Sequence, residues 1–370
     1  MARAPHLKAT TRLNKKTARA RMRRRQPEKR DEGYLWSRAD RVKRLDRSRF
    51  PRKAGPVTTR LSHLDPVPER LRGAIVALGN FDGFHRGHQA VVNRAMQRAA
   101  HERRPLIVAT FDPHPVRHFR PDAPAFRLTS LDQRQRMFGA AGADAMLVFG
   151  FDAALAATSA EDFVREMLGK RIGAAGVVTG EDFTFGAKRG GNAALLREVG
   201  AGCGIVAETV APVLLDGQPV SSSRARAALV AGRPGEATHL LSRPFAIGGE
   251  VIRGDQVGRE LGWPTANLEL GPYLRPAYGI YAVRVRLADG SEHDGVANLG
   301  IRPTFDPPRE LLEAHIFDFA GDLYGQQIEV ALIDYLRPEA KFDDLSALKT
   351  QMDADAAQAR ALLAGGATLA

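Results

Sequence analysis

Five short apolar runs, separated by helix-length amphipathic stretches, constrain the fold of this chain more than any other feature. They lie at 74–78, 106–111, 145–149, 176–179 and 204–210. Continuous runs rich in Val, Ile, Leu and Ala are what strands covered on both faces require. Helical patterns fall at 89–101, 130–141, 159–172 and 191–200. This alternation predicts a parallel, doubly wound α/β sheet, with ligands at the carboxyl ends of its strands. Beyond residue 245 the period drops to two, at 278–287, 296–299, 312–317 and 328–333, with Gly, Pro and Asp at the turns. That texture predicts an antiparallel barrel or sandwich, closed by an amphipathic helix over 344–363. A chain of 370 residues has room for both cores.

The formal charge of +12 is unevenly spread. Residues 1–53 hold 20 Lys+Arg and 5 Asp+Glu, and the rest holds 34 and 37, so the excess basicity is all N-terminal. That segment has too few apolar residues to offset chain entropy, and residues 1–70 read as a basic, disordered extension. A solvated arm or a start codon placed too far upstream explains it; an organelle presequence is a third option. Nucleic-acid contact by the arm is open, but the near-neutral remainder is not a polyanion-binding surface. There is no secretory signal and no run of 18 apolar residues, so no membrane partner is expected. The single Cys203 permits no internal disulfide and suits a reducing cytoplasm.

The first apolar run leads through Gly79 into Asn80-Phe81-Asp82-Gly83-Phe84-His85-Arg86-Gly87-His88, and then into a helix. A strand, a glycine-rich turn and a helix N-terminus make a phosphate site from backbone N–H groups and the helix dipole. Two imidazoles three residues apart add donors suited to a phosphoryl group in flight. Zinc ligation and an incidental capping turn are the alternatives, and no further Cys or His stands nearby at metal spacing. No Gly-x-x-x-x-Gly-Lys-Ser/Thr loop is present.

Three more segments end predicted strands or precede helices on the same rim: Thr110-Phe111-Asp112-Pro113-His114-Pro115, Thr179 to Gly186, and Val220-Ser221-Ser222-Ser223-Arg224. In the second half, residues 249–268 read as a strand, a glycine-rich flap with Gly254, Gly258 and Gly262, and a Pro-Thr-Ala-Asn turn. Thr265 and Asn267, one residue apart in an extended chain, point the same way and offer hard oxygens to Mg²⁺ beside nucleotide phosphates. A plain turn is the alternative.

Together, and in this order, these segments resemble the prokaryotic bifunctional riboflavin kinase/FMN adenylyltransferase family over roughly residues 70–360. The resemblance implies a Rossmann-like nucleotidylyltransferase domain (71–240), then an antiparallel β-barrel flavokinase domain with its C-terminal helix (241–363). It implies ATP and Mg²⁺ as requirements, and riboflavin, FMN and FAD as substrates and products. His85 and His88 would stabilise the α-phosphate, with Gly79, Phe81 and Gly83 near the nucleotide. Ser222, Ser223 and Arg224 would hold the outer phosphates, and Asp182, Phe183 and Phe185 would contact flavin or nucleotide. In the barrel, Gly254, Gly258, Gly262, Thr265 and Asn267 would bind nucleotide and metal, and Glu313 would be the base. Core aromatics at 183–185, an ordinary N-cap at 221–223 and a solvated strand glutamate at 313 are the plainer readings. Ser223, Thr184 and the 306–311 loop depart from the family pattern. Two other functions stay open: adenylyl or cytidylyl transfer to another substrate with an inert barrel, and nucleic-acid binding. Oligomeric state is not legible.

Overall fold

The computed structural model describes residues 58–254, 262–302 and 309–365. Gly258, residues 1–57 and the 306–308 part of the variable loop lie outside them. The elements in chain order are β1 (Thr59–Ser62), β2 (Ile75–Leu78), α1 (Arg86–Glu102), β3 (Leu106–Phe111), α2 (Pro115–Phe119) and α3 (Leu131–Ala140). Then come β4 (Ala145–Phe149), α4 (Ala153–Ala157), α5 (Ala160–Asp162, continued as a π-helix over Phe163–Ile172), β5 (Gly176–Gly180) and α6 (Ala193–Ala201). Next are β6 (Val206–Val210), β7 (Leu214–Leu215), β8 (Gln218–Pro219), α7 (Ser222–Val230) and α8 (Pro234–Leu241). The last part is β9 (Phe245–Glu250), β10 (Ala266–Glu269), β11 (Gly279–Arg286), β12 (Glu292–Arg302), β13 (Arg309–Ile316), β14 (Gln327–Arg337) and α9 (Leu345–Ala364).

The first sheet runs β1-β4-β3-β2-β5-β6, and every neighbouring pair is parallel. Strands β2 and β3 are buried at every position, because helices cover both faces. Strand order reverses at β2, which lies between β3 and β5. In an open sheet this switch point leaves a crevice outside the carboxyl ends. The sheet begins earlier than the sequence suggests. Residues 58–70 are not extension: β1 pairs with β4, and Thr58 Oγ1 donates to the Ala143 carbonyl at 3.2 Å. Only Leu61 of β1 is buried, so this edge strand lacks the continuous apolar run of its neighbours.

The second sheet runs β10-β13-β12-β11-β14-β9, with all pairs antiparallel. Its two edges meet where Ile252, just past β9, donates its N–H to the Asn267 carbonyl at 2.9 Å. The outcome is a barrel, not a sandwich. Its inner residues Ile247, Leu268, Val283, Leu299, Leu312 and Val330 pack into one core with Leu229, Leu240 and Leu241 of α7 and α8. Helix α9 covers part of the outer face through Ala356, Ala359 and Leu363. Among the described residues no helix is long and apolar enough to cross a membrane.

Candidate active sites

A cleft of about 810 Å³ opens at the switch point of the parallel sheet. The loop after β2 forms one wall. Phe81, Gly83 and Phe84 all take left-handed backbone angles there, with φ of 48°, 82° and 42°. Two of the three are not glycine, so packing must hold this turn against its steric cost. Phe81 is buried edge-on to His88 at 5.2 Å and to Phe138 at 5.8 Å. Asp82 supplies the polar anchor. Its carboxylate accepts the N–H groups of Leu128 and Thr129, the Thr129 hydroxyl and Arg226 Nη2, all within 3.1 Å. Removing one partner from a buried pair of this kind costs about 3–5 kcal/mol, so the turn is firmly tied.

His85 caps α1: its Nδ1 accepts the His88 N–H at 3.3 Å. In a neutral ring that bond leaves the proton on Nε2. The two imidazoles stack with centroids 3.6 Å apart. The glycine between them has a steric role, because a Cβ on Gly87 would lie 3.1 Å from the His85 ring. Burial, followed by the nearby Arg226, lowers the His85 pKa to about 4. Burial likewise holds His88 well below 6.5, with His85 and the arginines around it adding to the effect. The pair is therefore uncharged at neutral pH. His88 Nδ1 is enclosed and has no hydrogen-bond partner. Such an atom costs about 1–3 kcal/mol, and a hydrogen-bonding ligand group would relieve it.

Helix α7 brings a second N-terminus to the same cleft. Ser221 caps it by accepting the Arg224 N–H at 3.2 Å, and Ser222 Oγ donates to the Asp82 carbonyl at 2.8 Å. Neither α1 nor α7 has an acid in its first turn, so both positive ends stay available to an anion. The far wall is aromatic and basic, with Phe111, Phe119, Phe151, Phe183, Lys188 and Arg189. His114, the cap of α2, also lines the cleft; burial lowers its pKa to about 4.

The barrel site is built from strand register. Asn267 of β10 faces Glu313 of β13, which faces Asn298 of β12. Directly opposed residues hold their Cβ atoms about 5 Å apart, so an amide, a carboxylate and an amide stand in one row. Asn267 Oδ1 and Asn298 Oδ1 are both buried without a partner. Gly254 packs onto Asn267: a Cβ there would lie 2.4 Å from its Nδ2. Thr265, Asn267 and Asp322 line a small cavity of about 80 Å³. His315 Nδ1 donates to the Pro264 carbonyl at 2.9 Å, which ties the segment before Thr265 to β13. An unpartnered amide oxygen beside a threonine hydroxyl fits a hard cation, which takes few protein ligands and shares phosphate oxygens.

The family comparisons agree with this two-part geometry. Residues 67–224 match the FAD synthetase model, and residues 241–363 match the riboflavin kinase model. A bifunctional riboflavin kinase/FMN adenylyltransferase from Pseudomonas fluorescens is 41% identical over 80% of this chain and 95% of its own length. This chain belongs to that family. The enzyme of the same description from Escherichia coli K12 is 37% identical over 81% of this chain and 95% of its own. The crystal structure of a macrolide-efflux protein from Streptococcus pneumoniae shares the architecture, with TM-score 0.72, 31% identity, and coverage of 81% of this chain and 97% of that one.

Of the expected site residues, Gly79, Phe81, His85, His88, Asp182, Phe183 and Phe185 all line the one cleft. Phe185 does so as a core residue: it is buried, packs on Phe163 at 5.6 Å and bonds to the Gly191 backbone. Arg224 does not line the cleft. Its guanidinium donates to the carbonyls of Leu215, Gln218 and Pro219, closing the β7–β8 hairpin. Ser222 and Ser223 enter the first turn of α7, behind the cap at Ser221. Gly262 has φ of 81°, and among the described residues no atom lies within 4 Å of where a Cβ would stand. Asp82, Arg226 and Asn298 join the sites only through the fold; a carboxylate within a glycine turn is the one sequence signal, for the first.

Proposed function

We propose that the chain makes FMN and then FAD, with each step confined to one of the two sites. The barrel transfers the γ-phosphoryl group of ATP to the terminal ribityl hydroxyl of riboflavin. Glu313 takes the hydroxyl proton as the oxygen–phosphorus bond forms and ADP leaves. Thr265 and Asn267 would hold Mg²⁺, which when bound neutralises phosphate charge; Gly254, Gly258 and Gly262 let backbone amides approach the nucleotide.

In the α/β cleft an FMN phosphate oxygen attacks the α-phosphorus of ATP, the α–β bridging bond breaks, and pyrophosphate departs. No covalent nucleophile is needed, so the protein's task is placement and charge stabilisation. His85 Nε2–H and His88 donate to the α-phosphate, and neutral rings suit donation without trapping the product. The N-termini of α1 and α7, with Ser222 and Ser223, receive the outer phosphates. The Phe-lined wall with Phe183 and Asp182 receives the flavin. The observation that carries this reading is the uncharged, stacked histidine pair between two acid-free helix N-termini.

The test is one incubation of purified protein with riboflavin, ATP and Mg²⁺, with flavins resolved over time. FMN should rise first and FAD follow. FMN alone would remove the proposal for the histidine site, and no flavin product from folded protein would remove both.

A further inference from the structure

The histidine loop is bound to the segment that leads into the barrel. Arg86 Nε donates to the His239 carbonyl at 2.7 Å. Gln89 Nε2 donates to Ser242 Oγ at 2.7 Å, to the Leu241 carbonyl at 3.2 Å and back to the Phe84 carbonyl at 2.8 Å. Arg243 Nη2 donates to the Gly83 carbonyl at 2.8 Å, and its Nη1 to the Leu241 carbonyl at 3.2 Å. Gly83 is also wedged between side chains. A Cβ there would lie 2.7 Å from Leu128 and 3.2 Å from Leu241, both part of the core shared with the barrel. Ser242 turns the chain in a left-handed conformation, and β9 begins at Phe245. Donors from residues 86, 89 and 243 thus connect the loop carrying His85 and His88 to the connection between the two units.

These bonds act where the loop is least comfortable. Phe81, Gly83 and Phe84 are its left-handed residues, and the carbonyls of Gly83 and Phe84 are the acceptors. Asn267, Glu313 and Asn298 are instead placed by strand register within the barrel. We propose that Arg243, together with Gln89, is a positioning residue for adenylyl transfer, holding the Gly83–Phe84 turn so that the two imidazoles face the reacting phosphate. This rests on the assignment of adenylyl transfer to the histidine cleft. Neither side chain lines the cleft; both bond to the loop backbone. Displacement by about 1 Å of groups that stabilise a transition state can cost on the order of 100-fold in rate.

The experiment compares Arg243→Ala, Arg243→Lys and Gln89→Met with the unaltered chain. FAD formation from FMN and FMN formation from riboflavin are measured on the same preparations, alongside thermal unfolding. Arg243→Ala should lower kcat for FAD formation by about 10- to 100-fold, with KM for ATP and FMN within about threefold. FMN formation should stay within about twofold, and the lysine variant should recover part of the lost kcat. Gln89→Met should give the same split with a smaller loss, and it serves if Arg243→Ala does not fold. An unchanged kcat for FAD formation in Arg243→Ala overturns the proposal. So does a parallel fall of both activities with the unfolding temperature, which would mark a general structural role. An unaltered chain that makes no FAD at all would instead remove the cleft assignment itself.

Discussion

The α/β half and the barrel half solve the same problem, holding polyphosphate beside a flavin, with different materials. A parallel sheet places the N-termini of its crossover helices along one edge. The α/β cleft can therefore meet an anion with backbone N–H groups and dipoles, leaving its two imidazoles uncharged. Among the described residues the antiparallel barrel has no helix end at its site. It offers a row of side chains from three strands, Asn267, Glu313 and Asn298, and the amide oxygens of Asn267 and Asn298 are buried without a partner. The first device is largely main chain and depends on loop shape. The second is side chain and depends on strand register. Substitutions should affect the two activities independently, each through its own weak point.

The widest separation should come from His88→Ala. Loss of one transition-state donor costs about 10²–10³ in kcat, and FAD formation should fall by at least that much while FMN formation continues. Glu313→Gln is its mirror: the amide keeps the shape but cannot take a proton, and FMN formation should drop about 10²–10⁴-fold. FAD formation from supplied FMN should be untouched. If either change abolished both activities in folded protein, the contrast between the halves would be lost. Next in size is Gly254→Ala. The new Cβ would sit 2.4 Å from the Asn267 amide and push it out of the row. FMN formation should fall about tenfold, with a raised Mg²⁺ requirement, because the displaced group is an oxygen donor. A loss of turnover with an unchanged Mg²⁺ titration would argue against Asn267 as a metal ligand.

The two halves also differed in how far they could be read from sequence. The buried strands β2 to β5 announced themselves as apolar runs because both of their faces are covered. Strand β1 did not, since its only buried residue is Leu61 and its edge position tolerates polar neighbours. The histidine pair was legible as local chemistry: cap, glycine and second ring all lie within four consecutive residues. Asp82 was visible in the same stretch, yet its role depends on Leu128, Thr129 and Arg226, which only folding brings to it. Arg224 shows the converse error. The resemblance assigns it to phosphate, but the carbonyls of the β7–β8 hairpin occupy its guanidinium. In the barrel, Asn267 is a candidate from its own turn segment and Glu313 from the family resemblance. Asn298 became a candidate only through the register of β12 against β13, since pairing partners far apart in sequence are not encoded in either strand alone.

The smallest expected effect concerns charge. If the α/β site works by uncharged donors, His85 must refuse a proton throughout the working range. Its pKa of about 4 lies below the ordinary 6.5 because burial and Arg226 both oppose the cation. The unfolded chain has no such restraint and begins to bind protons as pH falls through 6.5. Folding stability should therefore be fully present above that pH and decline from 6.5 toward 4, levelling off once the folded ring also protonates. Denaturant unfolding at stepped pH gives the slope directly. His85→Gln should reduce that slope without abolishing it, because burial also depresses His88 and His114. An NMR titration of the His85 ring should stay nearly flat from pH 8 until the pH comes within about one unit of its pKa of about 4. A midpoint near 6.5 would mean a charged imidazole beside the phosphate at mildly acid pH, and the α/β half would then bind its ligand by side-chain charge after all.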